Sequence, residues 1–350
     1  MTAHAHLEHL PRALQAVLAL GLLALLAVPW LGLDNERYYL QLLTQMMVLA
    51  LFAMSLDLLQ GVTGLVSLGH AAFFGLAGYA LALTAPPDQP PSLWTLPLAV
   101  GVSTVAALVI GFFAVRTRGI YFIMVTMAFA QMLYYAVFDN KALGGSDGLY
   151  VMMRPVIEWG QTRWLDWDDP RVLYHVVLAV LVVVYLALRR LLFSPFGRVL
   201  VGIRINEHRM RALGYGTFGY KLTAFTVAGA LAGLAGYLWA VQTGFVNPEL
   251  LGFHHSAHAV MMVILGGMGN FAGAIVGAFA FEWLLHLAKD ATKHWQLLVG
   301  GFIVLVVLVA PRGLLGLLHD VQRRTEAARR PTAAPDEASA LTMTETHHGR

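Results

Sequence analysis

Long apolar runs, separated by short polar or Gly/Pro-rich stretches, dominate the pattern of hydrophobic and polar positions along the chain. Seven of them are long enough to cross a hydrocarbon layer of ~30 Å as an α-helix, which takes ~20 residues. We count ten runs in all, at residues 12–33, 38–59, 64–84, 93–115, 120–138, 172–191, 222–243, 258–269, 272–287 and 297–309. The pattern therefore predicts an all-α, polytopic membrane protein with about ten transmembrane helices.

Two Gly-rich stretches interrupt the pattern. The turn 266–270 separates the short eighth and ninth runs, which are either two short spans or one long broken helix. A second Gly-rich stretch, 61–79, lies in the opposite half of the chain, and such paired breaks are typical of pseudo-symmetric halves around a central site. The first run resembles a signal peptide, but its apolar part is too long, so we interpret it as a retained span.

Composition agrees with a membrane location. Of the 350 residues, 58% are hydrophobic and 12% are charged, against roughly 25% charged in an ordinary soluble domain. The hydrophobic share is about 203 residues, and ten spans of ~20 residues need ~200. The absence of cysteine excludes Cys-ligated zinc, thiol catalysis and a disulfide scaffold. The net charge of +3 does not indicate nucleic acid, because the basic residues cluster beside apolar runs.

The distribution of Lys and Arg predicts the orientation. With the N-terminus in the cytoplasm, 16 of the 23 basic residues face inward, and ten spans return the C-terminus to that side. Residues 1–11 are then a cytoplasmic tail, 12–318 the membrane domain and 319–350 a disordered cytoplasmic tail. The polar loop 139–171 faces the periplasm, and the basic loop 194–221 faces the cytoplasm.

Candidate residues for a transport pathway lie in the Gly-rich stretch and on two later spans. They are Ser67, Gly69, His70, Thr126, Gln131 and Glu282. Small residues permit either close helix packing or local unwinding beside a pathway, and both interpretations stay open. Thr126 and Gln131 also fit hydrogen bonds between helices, and His70 either binds substrate or bonds to nearby backbone.

Asp57 and Glu282 are the two acids within spans, where an ionisable group is costly enough to suggest a function. Asp57 lies near an inner end, which favours a structural role. Glu282 lies in mid-span, where a hydrogen bond between helices and a pathway role are both open.

Three histidines, His254, His255 and His258, suggest a metal site, since the last two share one helical face. Glu249 is the only nearby carboxylate and there is no cysteine to complete a ligand set. We therefore expect no metal, and interpret the histidines as the polar start of a helix at the membrane interface.

The cytoplasmic loop contains a candidate amphipathic helix at 206–213. Asn206 fits the N-cap position and Gly214 the stop, while Met210 and Leu213 are available for burial. The apolar side of such a helix needs either the bilayer surface or a partner protein, and composition leaves both possible.

Seven blocks of sequence resemble, in order, the permease subunits of branched-chain amino acid ABC importers, of the type with the longer chain. They are 64–79, 119–131, 144–149, 194–198, 206–207 with 211–214, 266–269 and 310–314. Each block is a weak motif, but their order across ten hydrophobic spans is specific and covers residues 38–318.

The resemblance implies the ABC importer permease fold in a bacterial inner membrane. A second, homologous permease subunit would pair with the chain in the lipid bilayer, with a periplasmic substrate-binding protein above and two cytoplasmic ATPase subunits below. The ATPases would bind ATP and Mg²⁺, since this sequence has no Gly-x-x-x-x-Gly-Lys-Ser/Thr phosphate loop. The chain itself would hold no cofactor and would not be an enzyme.

By the same resemblance, the helix in the cytoplasmic loop is the coupling helix that docks in a cleft of an ATPase. Its residues are Asn206, Glu207, Met210, Arg211, Ala212, Leu213 and Gly214. Met210 and Leu213 are then the apolar anchors and Arg211 a polar contact at the rim. The sequence departs from the family at 208–210, where His-Arg-Met replaces a commonly acidic, Ala-rich stretch.

The predicted function is import of branched-chain or other hydrophobic amino acids. Gly144, Gly145 and Asp147 in the periplasmic loop are candidates for docking the binding protein. The same fold could import urea, short amides or another small organic solute. A membrane enzyme would need clustered catalytic or metal residues in the spans, and a secondary transporter would need more ionisable groups there, so both are disfavoured.

Overall fold

A computed structural model describes residues 12–30, 35–86, 90–92, 94–159, 162–309, 313, 314 and 316. Within these ranges the chain folds into eleven α-helices, and the all-α prediction is confirmed. They are α1 (Arg12–Ala27), α2 (Glu36–Asp57), α3 (Ala71–Thr84), α4 (Thr95–Ala114), α5 (Ile120–Phe138), α6 (Pro170–Phe193), α7 (Pro195–Ala212), α8 (Thr217–Thr243), α9 (Phe253–Gly266), α10 (Phe271–Ala291) and α11 (Trp295–Val309). The predicted tails 1–11 and 319–350 lie outside the described residues.

The helices match the predicted apolar runs one for one, except that α7 lies in the predicted cytoplasmic loop. Six described helices are long and apolar enough to cross a membrane: α2 with its continuation to Thr63, α4, α5, α6, α8 and α10. α3 and α11 are shorter apolar helices, and α9 has 14 residues. The prediction of a multi-pass membrane protein is confirmed, with ten as an approximate number of spans.

α2 and α8 form the centre of the bundle. In the most apolar stretch of α2, 83% of the residues are buried, whereas in that of α5 only 22% are buried. α8 packs against α3 and α4 through small residues: a Cβ at Gly233 would lie 2.5 Å from the Ser103 Cβ, and one at Gly236 would lie 1.9 Å from the Phe74 carbonyl oxygen. Close backbone approach of this kind is how helices associate in membranes, where the hydrophobic effect supplies little between helices.

Gly236→Ala is expected to destabilise the bundle by about 1–3 kcal/mol, because the added methyl group meets backbone that cannot move aside. Gly219→Ala, in the same helix, is the matched control, since the structure describes no atom within 4 Å of that Cβ position. Thermal unfolding followed by fluorescence size-exclusion chromatography checks both. Equal melting temperatures for the two variants would contradict the close packing at Gly236.

The predicted span 64–84 is corrected at its start. α2 continues as a π-helical turn, Leu58–Thr63, which ends where Gly64 adopts a positive φ of 75°. The chain then runs in an irregular conformation through residues 64–70, and α3 begins only at Ala71. A Cβ at Gly69 would lie 2.0 Å from the Thr126 carbonyl oxygen, so this segment crosses close against α5. Irregular backbone within a membrane bundle is tolerated where protein covers it.

The open question at 258–287 is answered by two separate helices, α9 and α10, which fold back on each other. Their crossing is built from glycine: a Cβ at Gly266 would lie 1.8 Å from the Gly273 carbonyl oxygen, and one at Gly277 would lie 2.0 Å from the Met262 carbonyl oxygen. Gly267 and Gly269 in the turn have φ values of 111° and 89°. Asn270 starts α10 by accepting a hydrogen bond from the Ala272 amide at 3.1 Å.

The loop 139–171 carries short strands that the sequence pattern did not predict. β1 (Leu149–Tyr150) pairs antiparallel with β4 (Phe245–Val246), which follows α8, and β2 (Val156–Trp159) pairs antiparallel with β3 (Thr162–Asp166). The first pair holds the loop against the end of the bundle where α8 stops and α9 starts. Within the turn before β1, Gly144, Gly145 and Gly148 have φ values of 84°, 54° and 75°. Glycine is therefore required here by backbone conformation.

Candidate functional site

A cavity of about 450 Å³ lies at this loop end of the bundle, and we call it the histidine cavity. Its apolar wall includes Leu49, Phe52, Met262, Leu285 and Trp295. Its polar lining includes Gln45, Asn247, Glu249, His254, His255, His258, Glu282 and Lys289. The cavity thus combines aliphatic and aromatic surface with groups of both charges.

The polar groups of the histidine cavity come from distant parts of the sequence. Gln45 of α2 donates from Nε2 to Glu282 Oε1 of α10 at 2.8 Å. Asn247 donates from Nδ2 to Glu249 Oε2 at 3.4 Å. The Lys289 Nζ lies 5.3 Å from the centre of the Trp295 ring. Glu282 therefore takes part in a hydrogen bond between helices and also lines the cavity, so the two interpretations of this residue do not exclude each other.

His255 is enclosed by aromatic rings in the cavity wall. Its ring centre lies 5.3 Å from Phe52 and 4.7 Å from Phe74. Its Nε2 is buried and has no hydrogen-bond partner among the described residues. Phe52 also stacks on His70, with ring centres 5.5 Å apart, and the His70 Nε2 lies 2.9 Å from the Ser55 hydroxyl. His70 is therefore separated from the cavity by the Phe52 ring. It bonds to the side chain of Ser55, whereas the sequence suggested a bond to substrate or to nearby backbone.

The other pathway candidates are buried where the irregular segment crosses α5. Ser67 and Thr126 are 0% and 2% exposed, and Thr126 donates to the Ile123 carbonyl at 3.0 Å. Gln131 lies further along α5 and is half-buried. Of the six candidates, Glu282 alone belongs to the described lining of the histidine cavity. A pathway role for all six stays a prediction.

Asp57 connects the π-helical turn to the Gly-rich turn after α9. Its Oδ1 accepts a hydrogen bond from the Gly269 amide at 2.8 Å. One turn further on, the Gly61 carbonyl accepts a hydrogen bond from the Arg204 guanidinium of α7. The predicted structural role for Asp57 thus has a definite partner, and α7 contacts the same region of the bundle.

The predicted helix 206–213 is confirmed: α7 consists of two helical segments joined at a kink, and Asn206 starts the second of them. The first segment, which begins at Pro195, was not predicted. Asn206 interrupts the helix with φ −157° and ψ 96°, and its side chain accepts a hydrogen bond from the Arg209 amide at 2.9 Å. The helix ends at Gly214, whose φ is 88°. The Tyr215 amide bonds to the Met210 carbonyl at 3.1 Å, which completes a Schellman-type C-cap.

Glu207 attaches this second half of α7 to the bundle. Its carboxylate lies 2.7 Å from Arg211, 3.0 Å from Lys221 at the start of α8, and 3.4 Å from Arg118 in the loop before α5. The Thr217 hydroxyl donates to the same carboxylate at 3.0 Å. Burial alone would raise the pKa of Glu207. The hydrogen bonds from Lys221 and Thr217 and the neighbouring positive charges together lower the pKa by more than burial raises it, so the net shift is downward.

Contacts within the chain leave one side of this helix segment exposed to solvent. Arg211 bonds to Glu207 and Thr217 within the chain. Met210 is half-buried against Gly202. Leu213, by contrast, is 66% exposed. The exposed apolar surface at the helix end is therefore centred on Leu213, while Arg211 faces this chain.

Residues 38–308 match the sequence profile of a family described as branched-chain amino acid transport system / permease component. The chain is 33% identical over 313 residues to the high-affinity branched-chain amino acid transport system permease protein LivM of Salmonella typhimurium, covering 84% of this chain and 73% of that protein. LivM of Escherichia coli K12 gives the same identity and coverage. Over 124 residues, the chain is 36% identical to the autoinducer 2 import system permease protein LsrC of Photorhabdus laumondii, covering 33% of this chain and 37% of that protein. No solved structure matches the chain with significance.

Proposed function

Because the chain belongs to the family of branched-chain amino acid transport permease components, we propose that it is the membrane-spanning subunit of an ABC importer for branched-chain or other hydrophobic amino acids. The observation that carries this proposal is similarity along most of the chain: 33% identity to LivM over 84% of its length. The apolar helical bundle supports it, since six described helices are long enough to cross a membrane.

Partner subunits supply the energy in this proposal. The sequence contains no phosphate loop, so two cytoplasmic ATPases bind ATP and Mg²⁺, and a second, homologous permease completes the membrane unit. The chain resides in a bacterial inner membrane with both termini in the cytoplasm, as the positive-inside rule favours. α7 then faces the cytoplasm, and its end at residues 206–214 docks on an ATPase.

The periplasmic binding protein docks on the loop 139–171 in this arrangement. Gly144 and Gly145 shape a turn that only glycine readily adopts, and Asp147 is exposed on it. Tyr150 and Met152, immediately after the turn, are 69% and 77% exposed. Exposed aromatic and Met side chains beside a polar turn are typical of surfaces that bind another protein.

A second candidate function keeps the importer and changes the cargo. The similarity to LsrC, an autoinducer 2 import permease, covers 33% of this chain and supports a different small solute. Urea and short amides belong to the same alternative. The amino acid cargo is favoured because the match to LivM extends over 84% of the chain.

Cells that express the chain with its partner subunits are expected to take up radiolabelled L-leucine, and excess unlabelled isoleucine or valine should compete. Excess urea should not compete, because a hydrophobic amino acid offers apolar surface that urea lacks. The matched control is the same strain without this chain. Competition by urea together with no competition by isoleucine would contradict the amino acid cargo and favour the alternative.

A further inference from the structure

We propose that the histidine cavity is a binding site for the zwitterion of an aliphatic α-amino acid, with Glu282 facing the ammonium group and Lys289 and His258 facing the carboxylate. This inference rests on the proposed function and states where this chain holds its solute. The cavity volume of about 450 Å³ lies in the lower half of the range of roughly 300–1,000 Å³ found for small-molecule sites.

The walls fit an aliphatic side chain. Leu49, Met262 and Leu285 supply aliphatic surface, and Phe52 and Trp295 supply aromatic surface. Sites for small ligands combine such apolar walls with a few polar groups that fix orientation. An aliphatic amino acid needs both apolar walls and polar groups, because its side chain is apolar and its ammonium and carboxylate groups are charged.

Glu282 is suited to an ammonium group. The residue is 9% exposed and lies in a span, where a carboxylate without a cation is costly. Gln45 donates one hydrogen bond to its Oε1 but carries no charge. Lys289 and His286 act on the carboxylate electrostatically, but neither makes a direct ion pair with it among the described residues. A ligand ammonium would supply both the charge and further donors.

Lys289 and His258 are suited to a carboxylate. Lys289 follows Glu282 by seven residues on α10, which places it about two turns or ~10 Å further along the helix on the same side. His258 lines the same cavity, and its ring can donate a hydrogen bond to a carboxylate. Glu282 and Lys289 therefore line the cavity about two turns of α10 apart, and a bound zwitterion is oriented between them.

An independent observation is the unsatisfied imidazole of His255. This residue lines the cavity, and its Nε2 is buried without a hydrogen-bond partner in the described part of the chain. A buried polar atom without a partner is unfavourable, and a ligand atom or an ordered water at this position would satisfy it. Phe52 stacks on the His255 ring, and Phe74 packs against it with the two rings tilted by 49°.

The position of the cavity also suits solute delivery. Phe245, Asn247 and Glu249, from the segment after α8, form part of its lining. Phe245 lies in β4, which pairs with β1 of the loop 139–171. The cavity is therefore next to the loop on which we place the binding protein.

The test is calorimetric titration of the membrane complex in nanodiscs, without its soluble binding protein, using L-leucine and 4-methylpentanoate. The second compound keeps the carboxylate and side chain of leucine but lacks the ammonium group. Glu282→Gln retains an oxygen that can accept from Gln45, so the fold should be preserved. The matched control is Asp290→Asn, which removes an exposed acid from the same helix outside the described cavity lining.

We expect Glu282→Gln to raise the Kd for leucine about tenfold, because a charge-assisted hydrogen bond is lost. Its Kd for 4-methylpentanoate should not rise, because this anion has no ammonium group to lose and a like charge near it is removed. Asp290→Asn should behave as wild type. Lys289→Gln should weaken both compounds alike, because both carry the carboxylate.

Equal affinity of wild type and Glu282→Gln for leucine would overturn the site, and so would an equal loss for both compounds. Leucine uptake in the intact importer without leucine binding to the wild-type membrane complex would overturn the site and leave the proposed function standing. Absence of both uptake and binding would overturn the proposed function together with the site.

Discussion

Replacing Leu213 by Asp is expected to abolish ATP-driven uptake while the membrane bundle still folds and inserts. Leu213 is 66% exposed, so the change removes little packing within the chain. Interfaces concentrate their binding energy in a few central apolar contacts that exclude water, and a carboxylate placed there is left unpaired. The affinity for the ATPase should therefore fall about thirtyfold or more, because an interface hot spot contributes on the order of 2 kcal/mol or more, and uptake is lost with it.

Copurification of the ATPase subunits with the Leu213→Asp variant measures this directly. Arg209→Gln is the matched control, because Arg209 is exposed on the same half of α7. If the helix instead lies on anionic lipid, Arg209→Gln should reduce uptake more than Leu213→Asp does, since each Lys or Arg contributes ~1 kcal/mol to binding near such a surface. Full ATPase retention and normal uptake in the Leu213→Asp variant would contradict docking at this residue.

Replacing Glu207 by Gln is expected to loosen the end of α7 from the bundle and to reduce uptake. Lys221 is 4% exposed and would lose its acidic partner. Removing one member of a fully buried ion pair costs ~3–5 kcal/mol, and we expect about 1–3 kcal/mol here because Glu207 keeps some solvent contact. The folded pKa of Glu207 lies below its ordinary value of 4.5. The stabilisation is therefore present above that value and is lost as the pH falls through the lowered pKa.

Thermal unfolding at neutral pH, with and without Glu207→Gln, measures this contribution. Glu36→Gln is the matched control, since it makes the same chemical change in an ion pair with Arg171 at the other end of the bundle. The Arg171 side chain is 58% exposed, and such a pair contributes only ~0–1 kcal/mol. A Glu207→Gln variant as stable as the Glu36→Gln variant would show that Glu207 does not hold α7 in place.

The features that could be predicted from the sequence depend on neighbours in the chain. Apolar runs predicted the helices because burial within a span requires consecutive apolar residues. Asn206 and Gly214 predicted a helix start and stop because cap chemistry involves residues three to five positions apart, and both adopt cap geometry. The helical segment before Asn206, at residues 195–205, was not predicted, because its polar composition resembles that of a loop.

The features that could not be predicted depend on distant parts of the chain. The bond between Gln45 and Glu282 joins residues 237 positions apart. The irregular segment 64–70 follows from the close approach of Gly69 to α5, which no local pattern specifies. The histidine cavity was missed because His255 acquires its aromatic surroundings from α2 and α3. The cost of an acid within a span was the one signal that pointed to Glu282.

Transport in proteoliposomes measures the proposed import activity itself. The chain, the second permease and two ATPases are reconstituted with the binding protein on one side and ATP with Mg²⁺ on the other, and accumulation of radiolabelled L-leucine is measured. We expect accumulation only with hydrolysable ATP on the side that α7 faces, and none when this chain is left out. Leucine accumulation that does not require ATP, or that proceeds equally without this chain, would contradict it.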